Sequence, residues 1–268
     1  MTVLQMLKPH AGLRVLVTGG ASGIGLVIAR AFVDAGARVH VCDASPAAID
    51  ALAQAEASAE CNAITSTLAD VSDKDAVERV FLDVQNELGG LDVLVNNAGI
   101  AGPTGGIDEI DVNEWEQTVD VNLNAQFYFA RRAVPLLREA HGGGTIIALS
   151  SVAGRLGYAF RTPYAATKWA VVGMTKSLAI ELGPSNIRVN AIQPGIVKGP
   201  RIERVIAARA KQLNLSYEEM EKQYLEKVSL RRMTTPEEVA ATALFLCSPA
   251  GSGISGQAIS VCGNVEVL

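Results

Sequence analysis

The chain has 268 residues, 49% of them hydrophobic, with 25 glycines and a formal net charge of −5. That length supports one large α/β unit with a substantial core, and the acidic balance, with a pI near 5.3, argues against a general nucleic-acid binder. No run of about 18 uncharged apolar residues occurs and the N-terminus lacks a signal-peptide core, so a cytoplasmic protein with no membrane partner is expected.

The first strand, expected near 13–18, carries the short β-branched run Leu13-Arg14-Val15-Leu16-Val17. It leads into Thr18-Gly19-Gly20-Ala21-Ser22-Gly23-Ile24-Gly25, after which Leu26, Ile28, Ala29 and Phe32 fall at helical spacing over 23–35. Glycines at 19, 23 and 25 remove the Cβ atoms that would block a tight turn, a pyrophosphate and close helix packing. Free N–H groups at the helix start then meet the negative charge. A second strand over 37–42 ends at Asp43, 18 residues past Gly25 and close to the ~20 at which a carboxylate binds the adenosine ribose hydroxyls. A carboxylate there repels a 2′-phosphate, and neither Ser22 nor Ala44 supplies a cation to hold one, which predicts NAD rather than NADP. The competing role for Asp43 is to cap the next helix.

Further along, strands are expected near 62–68, 91–95, 144–150, 187–193 and 257–262, and helices near 46–57, 73–88, 113–140, 164–183 and 236–248. The last of these begins at a capping box, Thr235-Pro236-Glu237-Glu238. Such alternation predicts a doubly wound parallel α/β sheet with helices on both faces and ligands at the carboxyl ends of its strands. No low-complexity linker interrupts it, so residues 1–268 read as one domain.

Tyr164 and Lys168 lie four residues apart at the start of the helix near 164–183, which puts phenol and ammonium on one helical face. A phenol with its pKa near ~10 is a poor base at neutral pH, and a neighbouring cation favours the phenolate. Ser151 stands at the carboxyl end of the strand before it, 13 residues ahead of Tyr164. Taken singly, the pair reads equally as an amphipathic surface and Ser151 as a turn residue. Cys42, Cys61, Cys247 and Cys262 show no CxxC spacing and read as buried thiols, and His10, His40 and His141 are too scattered for a histidine metal site.

Together these segments resemble the short-chain dehydrogenase/reductase family from Leu13 to about Gly263. The matching elements are the glycine-rich run at 18–25, Asp70-Val71, Asn96-Asn97-Ala98-Gly99, Asn122, Ser151, Tyr164 with Lys168, and Pro194-Gly195. The resemblance implies a Rossmann-type seven-stranded sheet and a small helical substrate lid. It implies Tyr164 as the acid/base, Lys168 as the group that lowers its pKa and holds the nicotinamide ribose, and Ser151 as the hydrogen-bond donor to the substrate oxygen. Asn122 would hold a helix kink and a water leading to Lys168. Around the cofactor it implies Gly19, Ser22, Gly23, Ile24, Gly25 and Asp43, then Asp70 and Val71 beside adenine. Asn97, Ala98, Gly99, Pro194, Gly195, Ile196 and Val197 would line the nicotinamide half. It also implies a homotetramer built through the helices near 113–140 and 164–183. Two positions depart from the family pattern: Lys198 replaces a threonine that touches the cofactor, and Cys262-Gly263-Asn264 replaces Asp-Gly-Gly.

The stretch 198–232, where this family places its lid, carries nine Lys/Arg against five Glu, a local balance of +4 that leaves −9 for the rest of the chain. A basic lid on an acidic protein attracts an anionic substrate. Arg201 in the lid, with Arg155 and Arg161 between Ser151 and Tyr164, are the candidate anion ligands. The contrary reading makes the lid charges a solvated helix face behind the capping box Ser216-Tyr217-Glu218-Glu219. The expected activity is NAD-dependent interconversion of a secondary alcohol and a ketone on a small polar substrate such as a sugar, sugar acid or anionic polyol. The rivals are a 3-oxoacyl thioester reductase using NADPH and a catalytically silent dinucleotide sensor.

Overall fold

The computed structural model describes residues 2–58 and 64–267; Cys61 and the first two positions of the strand expected over 62–68 lie outside the described residues. Seven strands form one parallel sheet in the order β3-β2-β1-β4-β5-β6-β7. They are β1 (Arg14–Thr18), β2 (Arg38–Asp43), β3 (Ile64–Leu68), β4 (Val93–Asn96), β5 (Thr145–Leu149), β6 (Arg188–Pro194) and β7 (Ala258–Val261). Between them lie α1 (Val3–Met6), α2 (Gly23–Asp34), α3 (Pro46–Ala57), α4 (Lys74–Leu88), α5 (Val112–Val119), α6 (Ala125–Arg138), α7 (Thr162–Leu182), α8 (Pro200–Leu213), α9 (Tyr217–Glu226) and α10 (Pro236–Cys247). The expected doubly wound sheet is present. Chain order reverses between β1 and β4, and the crevice at their carboxyl ends is the topological switch point where such sheets take ligands.

Strand alternation divides the core into two layers. Val15 and Val17 of β1, Val93 and Val95 of β4 and Ile147 of β5 point to the layer completed by Ile28 and Phe32 of α2 and by Ala243 and Leu246 of α10. The intervening Leu16, Leu94 and Ile146 point the other way, against Val80 and Phe81 of α4 and Phe129 and Leu137 of α6. Because both faces of the sheet are covered, these strands read as continuous apolar runs. Phe127 of α6 and Trp169 and Ile180 of α7 remain exposed on the outer faces of their helices.

Where a single helix over 113–140 was expected, the chain forms α5 and α6 joined by a π-helical turn, Asp120–Asn124. The wide turn admits one extra residue and displaces the helix locally, as π-bulges do at functional positions. The lid resolves into α8 and α9, the second opened by the predicted Ser216–Glu219 capping box. Thr235 and Glu238 form the other predicted box, at the start of α10.

One polar group sits deep beneath the outer strands. His40 of β2 is 1% exposed, its Nδ1 2.7 Å from Thr65 Oγ1 and its Nε2 2.9 Å from Thr67 Oγ1. Burial drives its pKa down to about 4, against a smaller opposing pull from Asp83. The folded protein therefore holds His40 neutral while the unfolded chain protonates it below ~6.5, so its stabilising contribution is present above that pH and is lost as pH falls toward 4. Between pH 7 and 5 this one group should remove about 2 kcal/mol of stability. Urea titrations at those two pH values test it: a His40→Gln variant should show a markedly flatter fall, and parallel falls in both proteins would refute it.

Candidate functional site

Four segments meet at the carboxyl ends of β1, β4, β5 and β6. At β1 the chain turns through Gly19, with φ +59, and Gly23, with φ +53, where a side chain would be strained. A Cβ on Gly25 would overlap the Gly19 carbonyl, whereas one on Gly23 would meet only open space. Gly25 is thus needed for packing α2 against the turn, and Gly23 for the turn's own conformation. Ser22 precedes α2 without a side-chain capping bond, and the first helical bond runs from the Leu26 N–H to the Ser22 carbonyl. The first-turn N–H groups of Gly23, Ile24 and Gly25 therefore face the cleft, the arrangement that binds phosphate.

Asp43, the last residue of β2, accepts from the Ala21 N–H at 3.2 Å and from the Ser45 N–H at 3.1 Å. Ser45, not Asp43, caps α3, which leaves the Asp43 carboxylate beside the glycine turn as the acceptor available to a ribose. Asp70 is exposed after β3 and accepts from the N–H and hydroxyl of Ser72, while Val71 is buried in the core. Asp73 rather than Asp70 caps α4.

Asn97 fastens the crevice. Its Nδ2 donates to the carbonyls of Thr18 and Gly19, both at 2.9 Å, and the N–H groups of Asn97 and Ala98 donate to Thr18 Oγ1 at 3.0 Å. Asn122, buried within the π-helical turn, accepts from the Ile100 N–H at 2.8 Å and donates back to the Ile100 carbonyl at 3.0 Å. Its side chain therefore bridges to the loop after β4 instead of bonding its own helix. A Cβ on Gly99 would come within 3.2 Å of Asn122 Oδ1 and 3.4 Å of Lys168 Nζ, so the space between them depends on this glycine.

Lys168 is 4% exposed and donates to the Leu149 carbonyl, at the end of β5, at 2.8 Å. Its Nζ stands 5.7 Å from the centre of the Tyr164 ring, and Ser151 Oγ accepts from the Ala153 N–H at 3.2 Å. Arg161 and Arg201 place their guanidinium carbons 5.5 and 6.0 Å from the same ring. Burial raises the phenol pKa, but the charges of Lys168 and Arg201, the Ser151 side chain and the charge of Arg161 together outweigh it, and the net direction is downward. Lys168 is also lowered, chiefly by burial and further by Arg201, against the opposing pull of Tyr164. The structure thus gathers a phenol, a hydroxyl and a buried cation at one end of the sheet.

Opposite, Pro194-Gly195-Ile196-Val197 leaves β6 and is held by the Thr234 N–H on the Ile196 carbonyl at 2.9 Å. A Cβ on Gly195 would come within 2.7 Å of the Cys262 side chain, which assigns the Cys262-Gly263-Asn264 segment a packing role beneath this loop. Lys198, at the position of the family threonine, is exposed. Arg155 does not join the other arginines. Its Nη2 donates to the Val265 carbonyl, which ties it to the C-terminal segment while its Nε stays buried without a partner. Sequence reasoning missed the carbonyls of Leu149 and Ile100, because a backbone acceptor leaves no trace in residue type.

The family model described as enoyl-(acyl carrier protein) reductase matches residues 19–264. The chain is 35% identical over 252 residues to 3-oxoacyl-(acyl-carrier-protein) reductase FabG of Thermotoga maritima, covering 94% of this chain and 97% of the relative. It is likewise 35% identical over 255 residues to trans-4-hydroxycyclohexanecarboxylate dehydrogenase of Sinomonas cyclohexanicum, covering 93% and 91%. Among solved structures, a variant of actinorhodin polyketide ketoreductase with NADPH superposes with a TM-score of 0.88 at 32% identity, covering 94% of this chain and 96% of that one.

The phenol should therefore titrate below the ordinary tyrosine range, and Arg201→Ala should move it upward. Ultraviolet difference titration against a Tyr164→Phe background isolates that one ring from the other tyrosines. An unchanged midpoint in Arg201→Ala would count against the electrostatic account.

Proposed function

The chain belongs to the short-chain dehydrogenase/reductase family, and on that premise we propose that it is an NAD-dependent oxidoreductase interconverting a secondary alcohol and a ketone on a small polar substrate such as a sugar, sugar acid or other anionic polyol. The observation that carries the reading is the Tyr164 ring with Arg161, Lys168 and Arg201 all within 6.0 Å of its centre, cations that favour the phenolate.

In the oxidation direction Tyr164, as phenolate, takes the proton of the substrate hydroxyl, and Ser151 donates a hydrogen bond to the same oxygen. Lys168, anchored on the Leu149 carbonyl, stabilises the phenolate and offers its remaining N–H groups to the nicotinamide ribose. Asn122 positions this wall through Ile100. The bound nicotinamide supplies the hydride acceptor. Gly19, Ser22, Gly23, Ile24 and Gly25 would hold the pyrophosphate, Asp43 the adenosine ribose, and Asp70 and Val71 the adenine. Asn97, Ala98, Gly99 and Pro194–Val197 would line the nicotinamide half.

The second reading, a 3-oxoacyl thioester reductase using NADPH, is favoured by the name of the Thermotoga relative and by the NADPH in the ketoreductase structure. Asp43 weighs against it, since a carboxylate at the ribose repels a 2′-phosphate and no cation stands at Ser22 or Ala44 to offset it.

A dye-coupled screen of sugars, sugar acids, polyols and hydroxy acids should find turnover with NAD, and Tyr164→Phe should reduce it by about 10³-fold while NADH still binds. Full turnover in Tyr164→Phe would remove the mechanism. On the best substrate, kcat/KM with NAD should exceed that with NADP by about tenfold or more, and Asp43→Ala should narrow the ratio. A wild-type preference for NADP would favour the thioester reductase.

A further inference from the structure

Five of the fifteen arginines form an ion pair among the described residues. Arg14, Arg30, Arg79, Arg132 and Arg232 each pair with a carboxylate. Arg161 and Arg201 converge on one phenol, and among the described residues neither forms an ion pair. Arg161 is the rigid member. It precedes α7, donates through Nη2 to the Ala101 carbonyl at 2.8 Å and lies between the rings of Tyr158 and Tyr164, 5.3 and 5.5 Å from their centres. Its Nε is buried and has no hydrogen-bond partner. Arg201 is exposed on the first turn of the lid helix α8. Two like charges held beside a third at Lys168 repel one another unless an anion comes between them.

We propose that Arg161 and Arg201 bind the carboxylate of a hydroxy acid or oxo acid whose reacting carbon lies one or two carbons from that carboxylate. The inference rests on the alcohol–ketone reading above and narrows its substrate. A planar guanidinium flanked by aromatic rings, with an unpaired Nε–H, suits the planar two-oxygen acceptor of a carboxylate. Spacing sets the chain length. Both guanidinium carbons lie within 6.0 Å of the centre of the Tyr164 ring, so a carboxylate held on them lies beside the phenol and favours a short substrate. Because one arginine belongs to the sheet side and the other to the lid, the carboxylate would draw α8 toward the cleft.

Calorimetric titration of the NAD-loaded protein with malonate, and with neutral malonamide as the uncharged counterpart, tests the site without requiring turnover. Malonate should bind at least about tenfold more tightly than malonamide, and Arg201→Ala should weaken malonate by about tenfold or more. Arg161→Lys, which keeps the charge and loses the fork, should weaken it by a smaller factor while circular dichroism reports an intact fold. In kinetics, 3-hydroxybutyrate should lose far more kcat/KM than 3-hydroxybutanamide in Arg201→Ala. Absent malonate binding, or equal binding by wild type and Arg201→Ala, overturns the proposal; NAD-linked turnover of neutral alcohols in that preparation would leave the dehydrogenase reading standing. Arginine-dependent malonate binding with no turnover of any alcohol would instead remove the dehydrogenase reading and keep the carboxylate site.

Discussion

A buried ammonium organises this protein. Lys168 has been taken out of water and set on a single carbonyl, that of Leu149, with the Tyr164 ring on its other side. An isolated buried cation costs several kcal/mol, so it persists only where fixed dipoles and a group able to become an anion surround it. The neighbouring features follow from that demand. Ser150 holds the Lys168 carbonyl at 2.8 Å, Gly99 leaves the space in which the ammonium sits, and Asn122 braces the facing loop through the π-helical turn. The same desolvation that lowers the Lys168 pKa strengthens its field at the phenol, so structure and chemistry make one demand of one side chain.

The sheet supplies what this arrangement needs, a rigid frame with an opening at one end. Alternating strand residues fill two apolar layers, which leaves only the carboxyl ends of β1, β4, β5 and β6 free for polar work. There the backbone carries much of the burden. Thr18 and Asn97 clasp the two strands on either side of the switch point, and the uncapped start of α2 presents bare N–H groups. Above this frame the basic segment adds further charge, and Arg201 and Arg161 both stand within 6.0 Å of the centre of the Tyr164 ring.

Much of this was legible in residue order. The parallel sheet, most helix limits and both capping boxes follow from apolar period and cap chemistry, because each is decided within a few neighbouring residues. The glycine turn, Asp43 and the Tyr164/Lys168 spacing were legible for the same reason. Three features were not. The resemblance implied a kink at Asn122, but its π-helical form and its bond to Ile100, 22 residues away, are not recorded in the apolar period. Arg155 and Arg161 look alike in sequence, yet one is tied to Val265 and the other to Ala101 beside the phenol. The segment at Cys262 could not be interpreted until Gly195 was seen packed against it.

What the chain order alone determined is the local chemistry: which residues make strands, where helices begin, and which side chains share a helical face, since those depend on spacing and on backbone preferences. Only the tertiary structure decided which charges meet. The field at Tyr164 comes from Lys168 one turn along, from Arg161 just before the helix and from Arg201 on a lid 37 residues further on. Electrostatic energy depends on distance through a desolvated interior, and that distance exists only once the sheet has brought these segments to one edge.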